Sequence, residues 1–269
     1  MLNIIIFSKD RACQLELLLR SMKEYFKEFY EHKISILYTY SNDNFKLGYE
    51  KLFSIHNDKN IIYIKETQSF KNHVLLLLDQ DNPYSVFFVD DIVFKNPFTL
   101  GCKQFNLFTL NDDILTLSLR LHPYLTYCYS ARVRMNPPNF DSNLLFKWLG
   151  LGGDYGYPMS LDAHIFRTLD ILFITRAISF NNPNSYESML SSYPLNRPKM
   201  ICFDESVIVN NPVNKVQNWN NNFHGDVSAL YLNEQFLDGN IIDLYDFRGI
   251  KNKSCHQEIK IKFFKINNN

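Results

Sequence analysis

The feature that most constrains the fold is a regular alternation of apolar runs and helical patterns over the first 100 residues. Apolar runs rich in β-branched and aromatic residues predict strands, and amphipathic segments between them predict helices. The predicted strands are 3–8, 34–40, 61–65 and 84–89, and the predicted helices are 12–29, 45–55 and 70–78. Strands that are joined through helices run parallel, and the helices cover both faces of their sheet. The sequence therefore predicts an α/β fold built on a mainly parallel sheet.

The rest of the chain has a less regular pattern. Its predicted elements are a strand at 114–121, a loop rich in Pro and Asn at 136–141, a Gly-rich turn at 150–156, helices at 160–173 and 183–192, a strand at 201–203 and a helix at 227–236. The tail beyond Arg248 is basic, and no element is predicted there. Because no repeat or linker divides the chain, we expect all 269 residues to form a single domain.

Composition narrows the class of protein. Lys and Arg together number 28, as do Asp and Glu, so no positive excess exists to attract nucleic acid or an anionic membrane surface. The five cysteines include no Cys-x-x-Cys pair, which disfavours a zinc or redox motif and fits buried thiols in a reducing compartment. No signal peptide is recognised, and no apolar stretch approaches the ~18 residues of a membrane span. We therefore expect a soluble, cytoplasmic protein.

An acidic pair directly follows the fourth predicted strand. Ligands of open α/β sheets bind beyond the carboxyl ends of the parallel strands, and Asp90 and Asp91 occupy that position. Two carboxylates at the end of a buried strand repel each other and lose solvation, so a cation should compensate them. Mg²⁺ or Mn²⁺ prefers such oxygen ligands and can bridge to a diphosphate. The pair therefore predicts a site for a divalent metal ion and a phosphorylated ligand.

An acidic pair can also simply occupy a turn. Asp112 and Asp113, which follow Asn111, are interpreted in this way. The position of Asp90 and Asp91 after a buried strand favours ligand binding instead.

The motifs after the strands resemble those of a known family. The run from Ser8 to Arg11 after the first strand, Tyr40 and Ser41 after the second, and the segment 87–94 around the acidic pair resemble GT-A glycosyltransferases of the family-2-like group. Segments 157–166, 209–217 and 223–229 resemble the acceptor-side and C-terminal parts of bacterial and large-virus sugar transferases in that group. The pattern departs from the usual Asp-x-Asp motif because Val89 stands at its first acidic place.

The resemblance covers about residues 1–245 and implies a Rossmann-like GT-A fold. That fold is a mixed, mainly parallel sheet flanked by helices in one domain. The resemblance assigns 1–100 to nucleotide-sugar binding and 101–245 to the acceptor side, and it leaves 246–269 as a tail.

The resemblance also implies which residues contact the donor. They are Phe7, Ser8, Arg11, Tyr40, Ser41 and Asp90. The guanidinium of Arg11 suits phosphate oxygens, although an exposed arginine in a first helical turn is an equally simple interpretation. Lys71 is a further candidate for a phosphate contact, and a solvated lysine on a helix face is the alternative.

For the metal ion, the resemblance implies Asp91 as the direct ligand and Asp90 as the residue that faces the ribose or donor sugar. His224 matches the C-terminal histidine that GT-A enzymes often add to the metal site, and the alternative is an ordinary loop histidine.

For catalysis, Asp162 matches the base that takes the proton of the acceptor hydroxyl, and Asp154 is the reserve base. Asp162 falls early in the predicted helix at 160–173, where it would alternatively complement the helix dipole. Trp148, Asp154 and Tyr157 are candidate acceptor contacts, although core packing would also explain Trp148.

The predicted function is metal-dependent transfer of a sugar from a nucleoside diphosphate donor to a saccharide acceptor. The resemblance favours a UDP-linked donor and inversion of configuration. A nucleotidyltransferase is disfavoured, because no glycine follows the first strand in the run from Phe7 to Arg11. A non-catalytic homologue that binds a nucleotide-sugar or a glycan remains the alternative.

Overall fold

The computed structural model describes residues 2–67, 69–78, 80–193, 196–215 and 224–265. In the first part of the chain the elements are β1 (Leu2–Lys9), α1 (Ala12–Tyr25), a 3-10 helix (Phe29–Glu31), β2 (Ile34–Thr39), α2 (Asp43–Ile55), β3 (Ile61–Lys65), α3 (Phe70–Leu77), β4 (Tyr84–Val89), β5 (Ile92–Phe94), α4 (Lys103–Leu110) and β6 (Ile114–Ser118). They continue with β7 (Tyr127–Cys128), β8 (Val133–Arg134), β9 (Leu145–Lys147), a 3-10 helix (Gly153–Gly156), β10 (His164–Arg167), α5 (Thr168–Ala177), α6 (Pro183–Ser191), β11 (Lys199–Ile201), β12 (Ile208–Asn210), α7 (Ala229–Leu237), β13 (Asn240–Ile242), a 3-10 helix (Tyr245–Phe247) and β14 (Phe263–Lys265).

The central sheet has eight strands in the order β3-β2-β1-β4-β10-β6-β11-β9. Strands β3, β2, β1 and β4 pair in parallel, and β11 pairs in parallel with β6. Strand β10 runs antiparallel to both β4 and β6, and β9 runs antiparallel to β11. Only β10 and β9 therefore oppose the common direction of this sheet, which confirms the predicted mixed, mainly parallel α/β fold.

The two faces of the sheet bury separate apolar layers, as the alternation of side chains along a strand requires. In β1, Ile4 and Ile6 join the core on the side of α1, whereas Ile5 and Phe7 join the core on the side of α3 and α5. β1 is therefore buried on both faces, and the polar residues that follow it, Asp10 and Arg11, lie at its carboxyl end.

The predicted helix at 160–173 is wrong at its start. Residues 164–167 form β10, in the middle of the sheet, where Ile165 pairs with Val86 of β4 and Leu117 of β6. Ala163 has a φ of 58°, which a helix does not accommodate. A short, fully buried apolar run does not distinguish a strand from a helix by its periodicity. Asp162 therefore lies in the turn before a strand and not in the first turn of a helix.

The tail, for which no element was predicted, is ordered over its described part. Strand β14 pairs antiparallel with β13. The backbone N–H of Asn210 donates to Cys255, and that of Gln257 donates to Asn210. These bonds bring His256 to the end of β12.

Within the described ranges, no helix combines the length and the apolar character that crossing a membrane requires. Val216, Gln217 and Phe223, which belong to the segments of the predicted resemblance, lie outside the described residues.

Candidate active site

Asp90 lies at the carboxyl end of β4, beside the end of β1. Its Oδ2 accepts the backbone N–H of Lys9 at 3.1 Å, and its Oδ1 accepts Nη1 of Arg11 at 2.9 Å. The side chain of Asp90 is only 5% exposed, so the carboxylate is held between the ends of the two strands. Asp90 thus fixes the position of Arg11.

Asp91 is held differently from its neighbour. Its Oδ1 accepts Nδ2 of Asn210 at 3.0 Å, whereas its Oδ2 is 3.8 Å from Nη1 of Arg11. Burial raises the pKa of Asp91 to about 6, against the attraction of Arg11, and repulsion from Asp162 and Asp90 adds to the rise. This carboxylate therefore lacks a full compensating charge.

Arg11 connects the acidic pair to the segment after β12. Its Nε donates to Oδ1 of Asn214 at 2.8 Å, and its Nη2 donates to the carbonyl of Asn214 at 2.5 Å. Burial opposes the charge of this guanidinium, but attraction to Asp90 and Asp91 outweighs burial and raises the pKa of Arg11. Arg11 is therefore permanently charged beside the acidic pair.

A cleft of about 590 Å³ opens at the carboxyl ends of β1 and β4. It brings together six of the residues that the sequence predicts for the site, which are Arg11, Asp91, Asp154, Tyr157, Asp162 and His224. Asp91 and the predicted base Asp162 thus line one cavity, although the first follows β4 and the second precedes β10.

Arg120, which follows β6, organises the other side of the cleft. Its Nη1 donates to Oδ2 of Asp162 at 2.8 Å and to Oγ of Ser160 at 3.1 Å, and its Nη2 donates to Oδ1 of Asp154. The side chain of Arg120 is 3% exposed and that of Asp154 is 4% exposed. One buried cation therefore holds both the predicted base and its reserve.

Asp162 has a second partner in the tail. Nε2 of His256 is 3.4 Å from Oδ2 of Asp162. Burial alone would raise the pKa of Asp162, but the hydrogen bond to His256 and the charge of Arg120 outweigh burial and lower it to about 2. Burial likewise opposes the charge of His256, and its bond to Asp162 raises its pKa. Asp162 is consequently ionised at neutral pH.

Glu187 of α6 adds another carboxyl group to the cleft. Its Oε1 accepts Oγ of Ser160 at 2.8 Å and the backbone N–H of Leu161 at 2.9 Å. Burial, followed by repulsion from Asp162, raises the pKa of Glu187. This side chain ties α6 to the turn that carries Asp162.

The residues predicted to hold the nucleoside lie at the ends of β1 and β2. Phe7 is buried against Phe70 and Phe87, and Oγ of Ser8 is 2.7 Å from the hydroxyl of Tyr49. Both side chains are therefore buried, and neither belongs to the described lining of the cleft.

Two further residues of the predicted nucleoside site are accessible. The hydroxyl of Tyr40 accepts Nζ of Lys65 at 2.6 Å, and the backbone N–H of Ser41 donates to Oδ1 of Asp10 at 2.7 Å. Tyr40 is partly buried and Ser41 is exposed.

Seven predicted site residues are absent from the described lining of the cleft, which are Phe7, Ser8, Tyr40, Ser41, Lys71, Asp90 and Trp148. Two of them, Lys71 and Trp148, have partners elsewhere. Nζ of Lys71 donates to the carbonyls of Arg176 and Ile178 at the end of α5. Nε1 of Trp148 donates to the carbonyl of Arg197 at 2.7 Å. Both side chains therefore have structural contacts.

Asp91 is the candidate metal ligand of the cleft. The described residues contain no group of three His, Cys, Asp or Glu side chains that would enclose an ion. Asp91 nevertheless suits one, because it is under-compensated and the neighbouring Oδ1 of Asn210 is buried without a described partner. His224 lines the same cleft, where its Nδ1 contacts the carbonyl of Gly225 at 2.7 Å. Asp91, Asn210 and His224 are the cleft residues that would hold such an ion, with its remaining ligands supplied by a bound diphosphate.

The sequence interpretation missed Arg120, Glu187 and His256. Arg120 had a usable signal, because a charged residue inside the predicted apolar strand 114–121 would be buried and would need a partner. Glu187 and His256 had none, since a helix-face glutamate and a histidine in a polar tail are ordinary surface residues.

The fold and the cleft define an α/β protein with a cleft lined by several carboxyl groups at the carboxyl ends of its parallel strands. No family model matches the sequence. The sequence is 32% identical over 217 residues to the bifunctional glycosyltransferase pgtA of Dictyostelium discoideum, and the match covers 69% of this chain. The chain spans 27% of that relative's length.

Solved structures of TarS from S. aureus are also similar to this chain. One matches with 16% identity and a TM-score of 0.46, covering 77% of this chain and 36% of that one. Another, of TarS 1-349 in complex with UDP-GlcNAc, matches with 15% identity and a TM-score of 0.46, covering 77% and 57% of the two chains. The sequence relationship to pgtA and the mixed, mainly parallel sheet confirm the predicted resemblance to GT-A glycosyltransferases.

Proposed function

We propose that this protein is a nucleotide-sugar glycosyltransferase that uses a divalent metal ion. The observation that carries the proposal is that Asp91 and Asp162 line one cleft in different electrostatic states. Asp91 has a pKa raised to about 6, and Asp162 has a pKa lowered to about 2. A pair of carboxylates with separated pKa values supports separate roles in acid-base chemistry and charge compensation. The sequence relationship to a bifunctional glycosyltransferase supports the same reaction class.

On the donor side, Asp91 and His224 are the residues that would hold Mn²⁺ or Mg²⁺ together with the diphosphate of the donor. The chemistry that such an ion supplies is neutralisation of the leaving diphosphate. Arg11 lies 3.8 Å from Asp91 and adds a fixed positive charge beside the phosphates. Asp90 orients Arg11 and is the residue that we place beside the ribose or donor sugar. We place Tyr40 and Ser41 beside the nucleoside. A UDP-linked donor is the form we propose.

On the acceptor side, Asp162 is the proposed base. Arg120 and His256 fix its Oδ2, so the carboxylate is oriented and ionised before the acceptor binds. It takes the proton of the attacking hydroxyl, which is the role that an inverting transfer requires. Asp154 and Tyr157 line the cleft beside it and are proposed acceptor contacts.

Calorimetric titration of the protein with UDP, in MnCl₂ and in EDTA, tests the donor half. We expect binding that depends on Mn²⁺, and its loss in Asp91→Ala. Asp112→Ala is the matched control, because Asp112 belongs to an acidic pair in a turn and its side chain is 92% exposed. UDP binding of equal strength in MnCl₂ and EDTA, or an Asp91→Ala variant that behaves like Asp112→Ala, would refute the metal role.

A second candidate function is binding of a nucleotide-sugar without turnover. The observation that favours it is that Arg120 and His256 both contact Asp162 and lower its pKa, which makes it a weaker base. The two functions differ in UDP release from UDP-sugars, which only a transferase accelerates. Mn²⁺-dependent UDP binding without any such release would select the binding function.

A further inference from the structure

One face of α6 lines the cleft beside the predicted base. Pro183, Asn184, Glu187 and Ser188 all contribute to the lining. This spacing along a helix places the four side chains on the same face. An amide, a carboxyl group and a hydroxyl group are thus presented together to whatever occupies the cleft.

Glu187 differs from the other carboxylates of the cleft. Asp91, Asp154 and Asp162 each have an arginine within ion-pair distance. Glu187 has no such ion pair among the described residues, and its Oε1 accepts only the neutral donors of Ser160 and Leu161. The second oxygen of Glu187 therefore has hydrogen-bonding capacity that the charged network does not use.

A short chain of hydrogen bonds joins Glu187 to the turn of Asp162. Oγ of Ser160 donates to Glu187 at 2.8 Å, and it accepts the backbone N–H of Asp162 at 3.2 Å. Any group that binds Glu187 is consequently close to the predicted base.

Asp154 provides an independent indication of a hydroxyl-bearing ligand. It lines the same cleft, and its Oδ2 is buried without a hydrogen-bond partner among the described groups. A buried acceptor without a donor is costly, and a ligand hydroxyl would satisfy it.

We propose that the α6 face is an acceptor subsite that binds a neutral saccharide, with Glu187, Asn184 and Ser188 hydrogen-bonding hydroxyls adjacent to the reacting one. The inference rests on the proposed glycosyltransferase function and deepens it. Carboxyl and amide groups bind sugar hydroxyls well, whereas an acidic acceptor would be repelled by Glu187 and Asp162. A protein side-chain hydroxyl is the competing acceptor, and it offers no adjacent hydroxyls for these three groups.

Saturation-transfer NMR tests the subsite without knowledge of the donor sugar. The protein is mixed with UDP, MnCl₂ and the methyl glycosides of glucose, galactose, mannose and N-acetylglucosamine. We expect saturation-transfer signals from UDP and from at least one glycoside in the wild type. Asn184→Ala and Ser188→Ala should each weaken glycoside binding about fivefold, as one lost hydrogen bond does, while the UDP signal is retained. Glu187→Gln should weaken it at least as much.

Met189→Ala is the matched control, because Met189 lies on α6, is 38% exposed and is absent from the described lining of the cleft. It should retain the glycoside signal. A UDP signal without any glycoside signal, as expected for a protein acceptor, would overturn the subsite and leave the proposed donor site unaffected. Full glycoside signals in Asn184→Ala, Ser188→Ala and Glu187→Gln would also overturn it. The absence of a UDP signal would refute the proposed function on which the subsite rests.

Discussion

Arg120 donates a hydrogen bond to Oδ2 of Asp162 over 2.8 Å, although 42 positions separate the two residues in the chain. The same guanidinium binds Asp154, and His256 approaches Asp162 from the tail. The base that we propose is thus held by one residue from the segment after β6 and one from the C-terminal segment. Its orientation is a property of the folded protein and not of its local sequence.

Removing the charge of Arg120 should destabilise the protein. Arg120→Met leaves Asp154 and Asp162 buried without their shared cation, and losing one partner of a buried pair costs about 3–5 kcal/mol. Arg120→Lys keeps the charge and should cost less. Urea unfolding at neutral pH measures both free energies. Arg248→Met, which breaks a half-exposed ion pair with Glu24, is the control and should cost less than about 1 kcal/mol. An Arg120→Met variant as stable as that control would contradict the buried pairing.

Asp91→Asn should stabilise the protein when metal ions are absent. The pKa of Asp91 is raised to about 6 from 3.8, so the folded state binds more protons than the unfolded state between these values, and stability falls as pH rises through that window. The asparagine removes this penalty, which is at most about 3 kcal/mol above pH 6. Thermal unfolding in EDTA should show a higher Tm for Asp91→Asn at pH 7.5 and no difference below pH ~4.

Asp112→Asn is the control for that comparison, because a surface substitution changes stability by less than about 0.5 kcal/mol. If Asp91→Asn melts at or below the wild-type temperature at pH 7.5, burial of Asp91 is not a net penalty.

Ala163 should tolerate glycine better than valine. Its φ of 58° lies in the left-handed region, where glycine is unstrained and a β-branched residue is strongly disfavoured. Ala163 is fully buried between β4 and β6, so Ala163→Gly also loses a methyl contact and should remain within about 1 kcal/mol of the wild type. Ala163→Val should lose about 2 kcal/mol or more. Equal urea midpoints for the two variants would indicate that the left-handed backbone is not required.

The first half of the fold was predictable because its pattern is local. Four apolar runs and three amphipathic segments correspond to β1–β4 and α1–α3, and helix-linked strands have few alternative arrangements. The position of Asp90 and Asp91 at the carboxyl end of β4 was predictable too, because they directly follow the fourth apolar run. Strand β10 was not predictable, because its residues resemble a helix face until their antiparallel pairing with β4 and β6 is known.

The acceptor side was only partly predictable. Asp154, Tyr157 and Asp162 were recognised from a family likeness, and the structure brings them into the cleft. The groups that lower the pKa of Asp162 come from the segment after β6 and from the tail. Long-range backbone hydrogen bonds, such as that from Asn210 to Cys255, position His256. No sequence pattern specifies such pairings.

We propose that Asp91 and Asp162 serve one transfer reaction in two roles. The rate of UDP release from a panel of UDP-sugars in MnCl₂ tests this directly when it is measured for the wild type, Asp162→Asn and Asp112→Asn. We expect release by the wild type and Asp112→Asn, and a rate at least about 100-fold lower in Asp162→Asn with UDP affinity unchanged. Release by Asp162→Asn at the wild-type rate would contradict it.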